Sequence, residues 1–534
     1  MPLNAAEFYN DWATNHLSSV PSQSGPTDDP DSDGVANLAE YAFGTDPLVS
    51  DSIGGAILPL PLESNGVFKV EIFERAGHRP GVQIDLDATA SLTNWFRPWW
   101  LRTPTNSLPD DPPNSVRELF TTWMPETNIF FVRGSIHLFD PGPEVANYYV
   151  ATNGNDTTGN GSINNPYATL AKAVGLANPG ELVYVRGGKY AVGSKISLSK
   201  KTGTATQTIR IRAYPGETPT FDCSSTPGGT DCLSISGYYY QLYGLVITNA
   251  GHNSVNISGN NNTVERCISL GARNTGIHIT GGQTGSTFPS SNLVLNCDSI
   301  RNYDPPVGGN ADGFTAKWNL GPGNVFRGCR AWENSDDGWD LWMGTATVLI
   351  ENCWSFRNAS NVWNSASFDG NGNGFKLGGN YVATPHRIVN CLSFDNRMRG
   401  YDQNNNLATL TVDNCTAWNN PTNNFQLNHP PTNAMPHIVR NNLSVAGGPD
   451  VFYTGSTLIS NSWQLITSPP PGTNDFLSMD TSWAVAPRRD DGGLPDVPFM
   501  RPVPGGRLVD QGADIGEPFS GTAPDLGAFE TFVW

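Results

Sequence analysis

The sequence predicts an all-β protein. Its body reads as a right-handed parallel β-helix, preceded by a small helical EF-hand-like calcium segment and a small β-sandwich. Three observations predict this. One phrase recurs around six of the eight cysteines. A second phrase, built on glycine, is interleaved with the first. Charged residues are only 15% of the chain, whereas Gly, Asn, Ser and Thr are abundant, as suits short strands and tight turns.

Residues 1–60 form the first expected unit. The stretch "DPDSDGVANLAE" places Asp29, Asp31, Asp33, Gly34 and Glu40 at every required position of a calcium loop. Asp29, Asp31, Asp33 and Glu40 are the candidate ligands, and Gly34 permits the sharp turn. "AAEFYNDWATNHL" and "VANLAEYAF" read as flanking helices; the alternative is an acidic linker. Residues 61–145 alternate apolar and polar side chains in "VFKVEIF", "GVQIDLD" and "NIFFVRGSI", which predicts the sandwich. The tryptophans of "NWFRPWW" serve either its core or stacking on sugar rings. "PGPEVAN", 141–147, reads as the linker.

Residues 146–534 form the expected β-helix. A short amphipathic helix from Tyr167 to Asn178 would cap its first coil, because an open coil end exposes unpaired strand and core. The copies that follow are RCISLGARN, NCDSIRN, GCRAWEN, NCWSFRN, NCLSFDN and NCTAWNN, on Cys267, Cys297, Cys329, Cys353, Cys391 and Cys415. NNLSVAG puts Asn442 at the seventh cysteine place. The interleaved phrases are TGIHI, DGFTA, DGWDL, NGFKL, RGYDQ and NNFQL. Residues at equal places should form columns with a spacing of about 4.8 Å. Cysteine is small and apolar enough to stack inside, and these spacings match no zinc pattern. Asparagines five places after most cysteines should form a hydrogen-bonded ladder. Cys223 and Cys232 lie outside the repeat and would pair if the protein is secreted. "PDLGAFE", 524–530, is expected to return a strand to the body.

A net charge of −18 argues against nucleic acid or an anionic membrane as partner. No apolar run is long enough to span a bilayer. The start, Met-Pro-Leu-Asn, lacks the marks of a signal peptide. With the Asn/Gly-rich composition, the expectation is a secreted monomer whose signal peptide lies outside this sequence.

"ENSDDGWDLW" crowds Asp336, Asp337 and Asp340 between two tryptophans. In columns, Asp312 and Asp337 each precede the repeat glycine of successive coils, and Asp340 follows it by two. With Asp336 beside Asp337, four carboxylates can thus converge, and hard oxygen ligands at this density call for Ca²⁺; the alternative is an exposed acidic turn. Lys376 takes the place of Asp340 in the next coil, and Asp402 the same place one coil further. A Lys–Asp surface ion pair is the plain alternative for Lys376.

The motifs "NADGFTAK", "GNVFRGCRAWENSDDGWDLW", "GNGFKLGG" and "GYDQNNN" resemble those of the family 9 polysaccharide lyases, the β-helix pectate lyases. The resemblance covers about residues 147–534. It implies a calcium site on Asp312, Asp336, Asp337 and Asp340, and Lys376 as catalytic base. It also implies β-elimination on an acidic polysaccharide, polygalacturonate first. On that reading Lys317, Arg397 and Arg399 are candidates to bind substrate carboxylates. Rhamnogalacturonan I or another uronate polymer is the rival substrate. Insertions after Cys297 and Cys353 would line the cleft and set this choice. The other classes are metal-free hydrolysis by paired carboxylates and a non-catalytic polysaccharide-binding β-helix.

Overall fold

The computed structural model describes residues 145–531 except 433–434 and 490. It also describes the backbone of strands between 60 and 138 and a few isolated positions before them. Two compact units emerge. The first comprises Met1–Glu144, Phe476–Val509 and Thr531–Trp534; the second comprises Val145–Asp475 and Asp510–Glu530. In the first, Leu60–Ser64, Val67–Arg75, Ser115–Trp123 and Leu101–Pro104 form one antiparallel sheet. Val82–Thr89 pairs with Phe131–Leu138 in another. The expected calcium loop, with Asp29, Asp31, Asp33 and Glu40, lies outside the described residues.

The second unit is a parallel β-helix of three sheets with twelve, ten and ten strands. Each coil visits them in turn. Asn324–Arg327 lies in the first sheet, Arg330–Trp332 in the second and Trp339–Asp340 in the third. The corner from first to second sheet explains the recurring "NC". Asn296, Asn352, Asn390 and Asn414 precede their cysteines at φ of 53°, 51°, 54° and 49°. Asparagine tolerates this left-handed conformation better than most side chains. The six repeat cysteines are buried and reduced, whereas Cys223 and Cys232 are joined. At the end of the column Asn442 Oδ1 accepts from the Cys415 amide at 2.9 Å.

The corner from second to third sheet holds the expected asparagine ladder. Each amide donates to the next oxygen: Asn302 to Asn334 at 2.8 Å, Asn334 to Asn358 at 3.0 Å, Asn358 to Asn396 at 2.9 Å, Asn396 to Asn420 at 3.0 Å. A second ladder, Asn262 to Asn292 to Asn324, was not foreseen in the sequence. Inside the third sheet Phe314, Trp339, Phe375, Tyr401 and Phe425 stack, with centroids 4.7, 4.8, 5.1 and 4.8 Å apart. Each such pair contributes about 0.5–1.5 kcal/mol beyond its area burial.

The capping helix is present as Leu170–Leu176, and Thr169 accepts from the Lys172 amide at its start. "PDLGAFE" needs correction: it joins no sheet. Instead Gly527 N donates to Asn441 O at a coil corner and Ala528 N to Thr416 Oγ1 at the start of the strand Thr416–Trp418.

Candidate active site

Four successive strands of the third sheet carry the site: Phe314–Lys317, Trp339–Asp340, Phe375–Lys376 and Arg399–Asp402. Their ring stack points inward, so the alternate residues point outward. The register places Thr315, Asp340, Lys376 and Asp402 side by side in one column, as the repeat arithmetic required. Asp312 and Asp337 stand just before their strands. There the chain must pass close to the Ser–Asn layer beneath. A Cβ on Gly338 would lie 1.9 Å from Ser355 Oγ, which explains the glycine that follows Asp337.

Asp312, Asp337 and Asp340 are buried, and each offers an oxygen within 4.8 Å of the others. Lys317 Nζ lies 2.9 Å from Asp312 Oδ2 and 2.6 Å from Asp340 Oδ2. Lys376 Nζ lies 3.0 Å from Asp337 Oδ2 and 3.3 Å from Asp340 Oδ2. Asp336 is buried beside this trio but outside it, and its Oδ1 accepts from the Asn371 amide at 3.0 Å.

Burial pushes the Asp312 carboxyl up to about 7, against the pull of Lys317. Burial and the neighbouring carboxylates also raise Asp337 and Asp336, Asp336 strongly. Asp340 stays below the usual range because Lys317 and Lys376 outweigh its desolvation. For Lys376, burial favours the free amine, but Asp337, Asp340, Asp336 and Asp312 together hold its proton more firmly.

The donor set fits a hard divalent cation. All the clustered ligand atoms are carboxylate oxygens. Asp337 Oδ2 is buried with no partner in hydrogen-bonding geometry, although Lys376 Nζ is near. Asn373, which donates to Asp337 Oδ1 at 2.8 Å, carries a second such oxygen, Oδ1.

The other sequence candidates are distributed around this centre. Lys317 sits inside the acidic cluster, 14% exposed at its side chain. Arg399 Nε donates to Gln426 Oε1 at 2.8 Å, with Asp402 Oδ2 3.4 Å from Nη1. Arg397 Nη1 donates to Gly370 O at 2.6 Å, with its guanidinium 5.7 Å from the Phe368 ring. That contact belongs to a wall built by the two insertions. Tyr303 of the first stacks on Trp363 of the second at 4.5 Å. The second also supplies Asn371 to Asp336 and Asn373 to Asp337. Sequence reasoning missed these two asparagines, although "GNGNG" places them at alternate positions just before Lys376.

The family model described as "Pel9A-like, right handed beta helix region" matches residues 148–442. Pectate lyase L of Dickeya chrysanthemi is 40% identical over 395 residues, covering 72% of this chain and 90% of that protein. The crystal structure of pectate lyase Pel9A superposes with a TM-score of 0.66 at 39% identity, covering 72% of this chain and 96% of that one. A rhamnogalacturonan lyase superposes with a TM-score of 0.59 at 27% identity, covering 67% and 96%.

Proposed function

The chain belongs to the Pel9A-like right-handed β-helix family, and from that premise we propose that it is a secreted, calcium-dependent lyase that cleaves polygalacturonate by β-elimination. The observation that carries this reading is the outward column, which sets Lys376 one strand from Asp340 and against the carboxylate trio. Asp312, Asp337 and Asp340 would hold the cation, with Asp336 beside them. A bound Ca²⁺ supplies charge withdrawal from a uronate carboxylate, which acidifies the C5 proton.

Lys376 is the base in this reading. Its amine must be neutral to accept the C5 proton, as the C4–O bond breaks and a C4=C5 double bond forms. Were Asp312, Asp337 and Asp340 to hold a cation, their grip on the lysine proton would weaken and burial would favour the free amine. Lys317 bridges Asp312 and Asp340, so its role would be to fix those side chains. Arg397 and Arg399 flank the column and remain the candidates for neighbouring substrate carboxylates. The column runs across successive coils, along the helix axis, as suits an extended polymer chain.

The second reading, a lyase on rhamnogalacturonan I, draws on the likeness to the rhamnogalacturonan lyase. Both polymers should be digested with added calcium and the products examined. The proposal requires unsaturated products, seen as new short-wavelength ultraviolet absorbance from a C4=C5 double bond conjugated with the carboxylate. New reducing ends without that absorbance would mean hydrolysis and would end it.

A further inference from the structure

Beyond the carboxylate–lysine column, a row of aromatic side chains runs along the same edge of the third sheet. Three members stand on the loops that leave site strands, and the fourth follows Asn423–Leu427, the next strand of the same sheet after Arg399–Asp402. Trp318 directly follows Phe314–Lys317, and Trp342 is two residues after Asp340. Tyr381 is five after Lys376, and His429 two after Asn423–Leu427. Trp318 and Trp342 meet edge to face at 6.3 Å, as do Tyr381 and His429 at 6.5 Å. The row is continuous with the site, since the Trp342 amide donates to Asp340 Oδ1 at 2.9 Å.

Tyr381 is the unusual member. Its side of the loop is built rather than loose. Gly379 lets the backbone pass beneath Trp342, where any Cβ would lie 2.0 Å from Cδ1. The Asn404 amide group ties the following coil to Gly378 O at 2.8 Å. Asn380 and Tyr381 then take consecutive left-handed conformations, at φ of 52° and 61°. A bulky residue pays for this geometry in conformational energy. Burial does not compensate, because Tyr381 is 61% exposed. The fold therefore holds an aromatic ring out into solvent, one loop away from the base.

We infer that this row, with Tyr381 as its exposed platform, binds sugar rings of the polysaccharide chain beside the cleavage site. The apolar C–H face of a pyranose suits an aromatic face, and the tyrosine hydroxyl suits the sugar's edge. Trp318, Trp342 and Tyr381 follow the strands of three successive coils, and His429 stands two coils beyond Tyr381, so one extended chain can touch both the row and the Asp340–Lys376 column. The inference rests on the polysaccharide reading above and adds where the chain lies.

Tyr381→Ala and Tyr381→Phe should be compared with wild type on polygalacturonate and rhamnogalacturonan I, by kinetics and by retardation in gels containing each polymer. On the polymer that wild type cleaves, Tyr381→Ala should raise KM by about 3- to 10-fold, the scale of one aromatic contact. Its kcat should stay within about twofold, the pattern of lost uniform binding. Retardation should fall in parallel, and Tyr381→Phe should keep most of both. Equal KM and equal retardation for wild type and Tyr381→Ala would overturn the inference. So would a wild type that neither gel retards. If wild type is retarded but yields no unsaturated product, the lyase reading fails, and the gel comparison alone decides the row.

Discussion

At the residue scale, the chemistry depends on what surrounds one lysine. Lys376→Ala removes the proposed proton acceptor, and general-base catalysis is worth about 10²- to 10⁴-fold. Lys376→Arg keeps the charge but cannot give up its proton at working pH. Both variants should lose at least about 100-fold in kcat while still binding calcium and oligogalacturonate by calorimetry. Arginine rescue would mean that the position supplies charge rather than proton abstraction. Asp337→Ala should weaken calcium binding, and because it also removes the buried acceptor of the Asn373 backbone and side-chain amides it should lower the melting temperature without unfolding the protein. Full activity of that variant in a chelator would exclude Asp337 from any metal role. Asp312, Asp337, Asp340 and Lys376 were legible in the sequence because a fixed repeat turns spacing into columns. Asn371, Asn373 and the burial of Lys317 were not, because they depend on how an insertion folds back.

At the element scale, the corners hold the coils together. Asn358 donates to Asn396 Oδ1, Ala331 O and Ser355 Oγ, and accepts from Asn334. Asn358→Ala strands those buried partners and should cost about 2–4 kcal/mol, seen as a lower melting temperature. Asn358→Asp should be worse, since a carboxylate cannot donate onward. A second corner makes stability depend on pH. Burial raises Asp450 to about 6, and its Oδ1 accepts from the Phe425 amide at 3.1 Å. A raised carboxyl stabilises the fold while protonated. That contribution is complete below about pH 4, the unfolded value, and is lost as pH rises through about 6. Asp450→Asn should therefore stabilise the protein at pH 8 by at most about 3 kcal/mol and hardly at pH 4. Equal effects at both pH values would rule out this titration. The cysteine phrase and the Asn ladder were visible in the sequence because each coil repeats them. The ladder through Asn262, Asn292 and Asn324 keeps an equally fixed place, five residues before Cys267, Cys297 and Cys329, but it is short: Val348 and His386 take that place in the next two copies, so the repeat does not announce it.

At the scale of the whole molecule, a regular body joins a front segment that carries no repeat. The β-helix could be read from periodicity. The grouping of Phe476–Val509 with the first unit could not, since it follows from long-range contacts alone. "PDLGAFE" misled for a related reason: its partners are the Asn441 carbonyl and the Thr416 hydroxyl, distant in sequence, and not a sheet ladder. The loop with Asp29, Asp31, Asp33 and Glu40 should bind a calcium ion that plays no part in catalysis. In the full chain, Asp31→Ala with Asp33→Ala should remove one calcium equivalent by calorimetry and leave turnover intact. Lost turnover would tie the loop to the active site. The central claim is that the amine of Lys376 takes the C5 proton of a uronate as the C4–O bond breaks, beside a cation that Asp312, Asp337 and Asp340 would hold. Its most direct test follows the short-wavelength ultraviolet absorbance of the unsaturated product while polygalacturonate is incubated with wild-type protein in calcium, then in excess chelator, then in restored calcium. The account predicts absorbance that rises, stops and resumes, and that never rises with Lys376→Ala; a steady rise through the chelator step, or an undiminished rise with Lys376→Ala, would contradict it.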